Sequence, residues 1–413
     1  MRMIKYKTIL FLSIFLIYGF SNFITPLAGN FNGDPLDISD AISPQAIQLV
    51  RDAFSGFEGK SLIDNHTHVI GLGAGDTGIW VNPVMLEGWH WMKRLKFAVY
   101  KSASGIQHEE NADQEYIERL VKLIDSMHST GLHANDMRFF ILAFDRHYSK
   151  AGKVDLSHTS FYVPNEYIVS LAHQYPQYFV PVASIHPYRK DALQVLDKWH
   201  DLGVKYIKWL PNSQGIDPSD KDIIPFYKKM AGNNMVLITH TGEEKAVEGE
   251  EFQRLGNPQL LYLPLQHGVT VIMAHLATLG MCEDLQDAER EVSCFQLAIE
   301  MLEDKRYEKT LFADISAITQ FNRTDKLEEI LDNQVLHDRF VNGSDYPLPA
   351  INFLYKTSQL EDMGFVSENE KELLNEIYSY NPILFDFVLK RTIKSPGSKN
   401  KLLRDAFVFP DSI

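Results

Sequence analysis

Cysteine is nearly absent from this chain, with two in 413 residues, Cys282 and Cys294. Both lie between Met281 and Leu302, where Leu285, Ala288, Val292, Phe295, Ala298, Ile299 and Leu302 recur at helical spacing. Twelve helical residues set two Cα atoms about 18 Å apart, beyond disulfide reach, so the expectation is a fold without an internal disulfide. No run of lysine and arginine interrupts the net charge of -14, and a surface so acidic repels phosphate backbones, which excludes nucleic acid as a partner. Internal repeats and low-complexity tracts are also missing. So is an apolar run of the roughly 20 residues that cross a bilayer. The longest, Ile9 to Phe20, comes after Arg2, Lys5 and Lys7 in the pattern of a secretory signal. Residues 1–30 are therefore expected to be a signal peptide, with export to the periplasm or the extracellular space. The alternative is a retained N-terminal anchor that attaches the protein to a membrane. No small-x-small cleavage site follows cleanly, and no nearby cysteine offers a lipid attachment point.

The rest is ordinary soluble composition, 45% hydrophobic and 23% charged, long enough for a large core. Four short stretches carry the chemistry: Asp64-Asn65-His66-Thr67-His68, Ile238-Thr239-His240-Thr241, Met273-Ala274-His275 and Gly343-Ser344-Asp345-Tyr346-Pro347. Each comes after an apolar run. Side chains alternate faces along a strand, so His66 and His68 project to one side and form a two-nitrogen clamp for one cation. His240 and His275, each closing a strand, add imidazoles, and Asp345 adds a carboxylate; together they read as a metal site. The bland alternatives are hydrogen-bonded rim histidines and an aspartate capping a turn.

From residue 61 on, strand-like and helix-like runs alternate. The strand candidates are Leu62-Ile63, Phe139 to Phe144, Phe179 to Ile185, Val204 to Trp209, the runs ending at His240 and His275, Leu311 to Ile315, and Phe340 to Asn342. Helix-period segments separate them at Asn165 to Tyr175, Asp191 to Leu202, Ile223 to Ala231 and Leu327 to Asp332. Eight such units predict an α/β fold of the (β/α)8 TIM-barrel class over 45–392, with a C-terminal tail at 393–413 and the active face at the strand ends. One connection departs from the pattern: about 70 residues separate His68 from Phe139, a long insertion after strand 1 that holds Trp80, Trp89 and Trp91. It is expected to supply an extra helix, with Trp89, Trp91, Leu95 and Val99 as its apolar stripe, and a lid over the metal. Lys208, ending the fourth strand, has three readings: a carboxylated bridge between two metals, a cation for an anionic substrate, or an ordinary charge reaching the rim; the last two are favoured. The remaining histidines, His147 and His158 among them, read as surface or packing residues, with His186 the one that might face the pocket.

The ordered set resembles the amidohydrolase superfamily, specifically its amidohydrolase-related metal-dependent hydrolases, across residues 60–392. The carriers are Ile63 to His68, Ala183 to Pro187, Gly203 to Pro211, Thr239 to Gly242, Ile272 to Leu276, Gly343 to Pro347, and Asn381-Pro382 before a final helix. The resemblance implies that His66, His68, His240 and Asp345 hold a divalent metal, commonly zinc, as one or two ions. His275 would polarise substrate or water, or bind the second metal. Departures are the long insertion, the added carboxylates Glu243 and Glu244, and Leu276 to Gly280 in place of the His-x-Gly-Gly of many relatives.

A three-histidine, one-carboxylate ligand set leaves room for a water and acidifies it. Asp345 would take its proton as it attacks a carbonyl, and His275 or the metal would stabilise the oxyanion. The expected activity is hydrolysis of an amide, ester or lactone of a small molecule. The nearest rival is metal-dependent decarboxylation of an unsaturated or aromatic carboxylic acid, with Lys208 and Arg189 as candidate cations for its carboxylate. An exported binding protein that has lost its chemistry is the reading from another class, and the acidic balance argues against a nuclease. A homo-oligomer is compatible with the sequence.

Overall fold

A computed structural model of the chain describes residues 33–413 apart from 88–89, 130, 133–134, 248, 288–289 and 411–412. The signal or anchor expected at 1–30, Trp89 and Ala288 lie outside the described residues. Among those described, no helix is long and apolar enough to cross a membrane.

Eight parallel strands form one sheet in chain order: β1 (Ser61–His68), β2 (Asp136–Leu142), β3 (Phe179–Ala183), β4 (Tyr206–Trp209), β5 (Val236–His240), β6 (Thr270–Ala274), β7 (Leu311–Asp314) and β8 (Phe340–Val341). The sheet closes on itself, because Asn65 N–H donates to Asn342 O at 2.9 Å, Asp345 N–H to His66 O at 2.8 Å and His68 N–H to Tyr346 O at 2.9 Å. This is the expected (β/α)8 barrel. Its helices include α1 (Pro44–Phe54), α2 (Trp91–Ala103), α3 (Ala112–Ser129), α4 (Asn165–Gln174), α5 (Ala192–Asp201), α6 (Ile224–Gly232), α7 (Cys294–Glu303), α8 (Leu327–Asp332) and α9 (Pro382–Thr392). Four of these, α4, α5, α6 and α8, fall on the predicted helix-period segments to within two residues at each end.

The period-2 alternation of each strand divides the core in two. Outward residues join the helices in the larger cluster, while Phe140, Leu142, Val182, Val236, Ile238, Ile272, Phe312 and Val341 fill the barrel itself. The inward rows of β4, β5 and β7 continue upward: Tyr206 to Lys208, Ile238 to His240, Phe312 to Asp314. Polar side chains therefore top the barrel. At its other end Phe409, from the C-terminal segment, packs against Phe140 with ring centroids 5.3 Å apart.

Strand β1 needs an irregularity to fit this scheme. Its pairing with β2 shifts register between Asp64 and Thr67, where Asp64 faces Phe139 and Thr67 faces Ile141. The extra residue is a β-bulge, and a bulge re-aims the side chains beyond it. Ile63 packs into the barrel interior. Strict alternation would turn Asn65 and Thr67 inward after it; the bulge substitutes His66 and His68.

The cysteine expectation is overturned. Residues 281–302 are not one helix: Met281–Glu283 and Glu291–Ser293 pair as an antiparallel ribbon with Val292 opposite Cys282, and α7 starts only at Cys294 behind its Ser293 cap. The ribbon's turn brings the two Cα atoms to 5.0 Å, and a disulfide joins them. Helical spacing in Val292, Phe295 and Leu302 arose partly from the ribbon, which the period alone does not distinguish.

The last helix also reaches the barrel mouth. Lys390 of α9 is fully buried, donating to Gly343 O at 2.6 Å and to Asp386 Oδ2 at 2.5 Å. Gly343 is itself required, because a Cβ there would lie 2.5 Å from Asn65 Oδ1 and 2.8 Å from His66 Cβ. Removing one member of a buried ion pair leaves the other uncompensated. Lys390→Met is expected to lower unfolding free energy by about 3–5 kcal/mol in denaturant titration, and Lys390→Met with Asp386→Leu to lower it by less.

Candidate active site

All five sequence-predicted site residues, His66, His68, His240, His275 and Asp345, line one cavity of about 630 Å³ at the C-terminal mouth of the barrel. His66 Nε2 lies 3.5 Å and His68 Nε2 3.2 Å from Asp345 Oδ1, and His275 Nδ1 lies 4.0 Å from Asp345 Oδ2. Ligand atoms of His66, His68 and Asp345 all fall within 4.8 Å of one another, a set that fits a divalent cation. His240 stands beside His275, ring centroids 5.1 Å apart, outside that tight group. Its Nδ1 lies 3.4 Å from Glu244 Oε2, and its Nε2 is buried without a hydrogen-bond partner, as a nitrogen shaped for a cation would be.

Behind these side chains sits a residue the sequence reading passed over. Asp314, at the end of β7, accepts from His66 Nδ1 at 2.9 Å, from His275 N–H at 2.8 Å, from Ser316 N–H at 3.1 Å and from the Ser316 hydroxyl. Burial alone would push its carboxyl up, but His66, His275 and Lys208 hold it well below the usual carboxylate range. An ionised carboxylate only accepts, so each contact fixes a proton. His66 carries its proton on Nδ1 and presents the Nε2 lone pair. Ser316 spends its one hydroxyl proton on Asp314, so at its 2.7 Å contact with His275 Nδ1 it must accept. His275 therefore presents Nε2 as a lone pair too, not as a donor for an oxyanion. The only sequence signal for Asp314 was an aspartate closing an apolar strand, Leu311-Phe312-Ala313.

Burial keeps the imidazoles neutral and ligand-competent: it lowers His240 to about 4, lowers His275 well below its ordinary value, and with Lys208 lowers His66. Burial would raise Asp345, but His66, His68 and Lys208 outweigh it and keep the carboxyl below its ordinary value. The backbone is strained at two of these residues, with φ of 59° at His275 and 62° at Asp345, in the left-handed region that non-glycine residues rarely adopt.

Lys208 is not a rim charge. It is 1% exposed, on the inward row of β4, with Nζ 3.1 Å from His66 Nε2. Burial lowers its ammonium to about 8, against the attraction of Asp314, Asp345 and Glu244. The ammonium uses the same His66 lone pair that a cation would use, which leaves the carboxylated and anion-binding readings. Arg189 is withdrawn from the site altogether, pairing with Asp145 at 3.2 Å and Asp191 at 2.9 Å. His186 is likewise a packing residue, its Nε2 bonded to Gln214 O at 2.8 Å. Of the two added carboxylates, Glu244 faces the cavity and Glu243 pairs with Lys245.

A further buried cation faces the cavity. Arg323, in the loop after β7, is buried against the cavity, its Nη1 donating to Thr278 Oγ1 at 2.8 Å and its Nε without a hydrogen-bond partner. Nothing in its local sequence, Asn322-Arg323-Thr324, marks it. Apolar walls complete the space. The insertion contributes α2, whose Leu95 and Val99 face the cavity while Phe97 and Ala103 pack inward, and Tyr100 Oη donates to Ala246 O at 2.9 Å. Trp91, expected in the packed stripe, is instead 66% exposed at the mouth. One helix thus both packs on the barrel and roofs the site.

No protein-family model and no curated protein matches the chain. Among solved structures it is similar to an uncharacterized TIM-barrel protein from Bordetella bronchiseptica, at 16% identity and TM-score 0.47 over 77% of this chain and 99% of that one. It is similar also to an amidohydrolase candidate from Staphylococcus aureus, at 12% and 0.38 over 76% and 95%. A third is 5-carboxyvanillate decarboxylase from Sphingomonas paucimobilis, at 11% and 0.41 over 76% and 96%.

Asp314→Asn would disturb the proton placement on His66 and His275 without emptying the space. It is expected to weaken zinc binding about 10- to 100-fold in competition with a chromophoric chelator. The depressed His240 value has a second consequence. As pH falls, the unfolded chain protonates this histidine near 6.5 while the folded one resists until about 4, so its stabilisation is complete above 6.5 and lost towards 4. The thermal midpoint of chelator-treated protein should fall over that window, and His240→Asn should flatten the fall.

Proposed function

We propose that the protein is a metal-dependent hydrolase of the amidohydrolase superfamily, acting on an amide, ester or lactone of a small molecule. The observation that carries this reading is the convergence of His66 Nε2 and His68 Nε2 on Asp345 Oδ1, at 3.5 and 3.2 Å, on the floor of a 630 Å³ cavity. His66, His68 and Asp345 would hold a divalent cation, zinc by donor type, with His240 and His275 as further ligands or the seat of a second ion. When bound, such a cation supplies Lewis acidity to water and to a carbonyl oxygen.

The chain's own residues do the rest. Asp345, ionised and buried beside the reacting space, accepts a proton as the water oxygen bonds to the carbonyl carbon, then returns it to the departing nitrogen or oxygen as that bond breaks. Where it is not itself a ligand, His275 Nε2, an acceptor, orients the attacking water. The apolar wall of Leu95, Val99 and Phe161 selects a substrate with a substantial apolar part and excludes bulk water. Export is the proposed location; the Cys282–Cys294 disulfide supports it, since such bonds persist in oxidising compartments.

One observation favours a second reading. Arg323 is a buried guanidinium beside the same cavity with an unpartnered Nε, a fit for a substrate carboxylate, which decarboxylation of an unsaturated or aromatic acid requires. Turnover tests should use zinc-, manganese- and iron-loaded protein on esters, lactones, amides and aromatic acids, with carbon dioxide trapped. Hydrolysis without carbon dioxide is expected, with Asp345→Asn lowering kcat about 10²- to 10⁴-fold. Carbon dioxide release lost in Arg323→Met would establish the second reading instead. Wild type that retains no stoichiometric metal when offered all three ions would sink both.

A further inference from the structure

A second group of donors lies outside the cavity, in the loop after β2. His147, Asp155 and His158 offer ligand atoms that all fall within 4.8 Å of one another. His158 is held in place by its Nδ1 contact with Asp155 Oδ2 at 2.7 Å, and its Nε2 faces Glu251 Oε2 at 3.5 Å. Asp155 is fixed in turn, its Oδ1 accepting from Ser157 N–H at 3.0 Å, Ser157 Oγ at 2.5 Å and His158 N–H at 3.3 Å.

These contacts alone describe a capped loop. His147 is the residue they do not explain. It is 7% exposed, and both its Nδ1 and Nε2 are buried with no hydrogen-bond partner among the described residues. Leaving a buried polar group unsatisfied is costly, and native structures seldom keep one without a use for it. The ring lies beside the group, its centroid 5.1 Å from that of His158, with Phe252 packed 5.4 Å away. The fold makes room for it: at Gly215, whose φ is 68°, a Cβ would collide with the His147 ring. Burial also disfavours its protonated form, which leaves a neutral ligand.

We propose that His147, Asp155 and His158, completed by the exposed carboxylate of Glu251, form a second cation site that takes a zinc-class divalent ion. Two imidazoles with carboxylates suit zinc and its neighbours in the first transition row; calcium and magnesium prefer oxygen-only ligands. The role is structural. The loop returns through Val163, paired with Phe144, and Phe144, Phe161 and Val163 all line the cavity. An ion at this position ties the loop after β2 to the Glu251 segment after β5, two parts of the rim that border the cavity. It does not depend on the proposed reaction.

Zinc equivalents should be counted by elemental analysis after chelator-stripped full-length protein is dialysed against zinc. His68→Ala/Asp345→Asn protein, crippled at the cavity, is expected to keep about one equivalent, and adding His158→Ala to lose it. A double variant that binds none, or a His158→Ala protein that binds as many equivalents as wild type, overturns the site. If His158→Ala does not fold, cobalt(II) in the double variant decides: a tetrahedral visible band that Asp155→Asn abolishes or shifts supports the site, and no band overturns it. Because the double variant lacks His68 and Asp345 of the cavity set, and every decisive loss is read at His158 or Asp155, failure here is distinguishable from failure of the hydrolase reading.

Discussion

One carboxylate organises the mouth of this barrel. Asp314 is buried, ionised and acceptor-only, and its two oxygens take protons from the His66 ring, the Ser316 hydroxyl and the His275 backbone. That arrangement decides which nitrogen of each imidazole is bare. It also holds the His275 backbone in a conformation with φ of 59° that an isolated chain would avoid. The lone pairs directed at the cavity are therefore the consequence of a negative charge on the opposite side of the rings, a relationship common to metal-binding histidines.

Much of the fold was legible because its signals are periodic. The eight strands were announced by short apolar runs, the first and last of them faintly, four of the helices by a 3.6-residue period, and the five site residues by polar groups at strand ends. The features that escaped were governed by tertiary context. The bulge in β1 illustrates this: His-x-His predicts a common face, but only the extra residue between Asp64 and Thr67 turns that face inward. Cys282 and Cys294 misled because a ribbon and the helix after it together mimic one helical period. Asp314 has only its place at the end of an apolar strand as a signal and Arg323 has none, and their importance comes from the groups that lie around them in the fold. For Lys208 a rim charge stayed among the favoured readings, beside a cation for an anionic substrate, because a place at a strand end does not reveal how deeply the side chain is buried.

Chemistry and selectivity occupy different parts of the chain. Strand ends supply the imidazoles and carboxylates, and each is fixed by backbone register. The insertion and the loops after β7 and β8 supply the walls, with Leu95, Val99 and Leu348 among them. Rigid elements thus hold the reacting groups and longer connections shape the space above them, the division that barrel enzymes use to vary substrates on one scaffold.

The ammonium of Lys390 beneath Gly343 ties the mouth to α9, far along the chain from β1. A ribosome delivers His66 and His68 about 320 residues before this prop. Until then the turn bearing Asp345 has no cation under its carbonyl, so a nascent or C-terminally clipped polypeptide can own every imidazole of the cluster and still lack its finished geometry. Completion of the site in this sense trails the synthesis of its ligands.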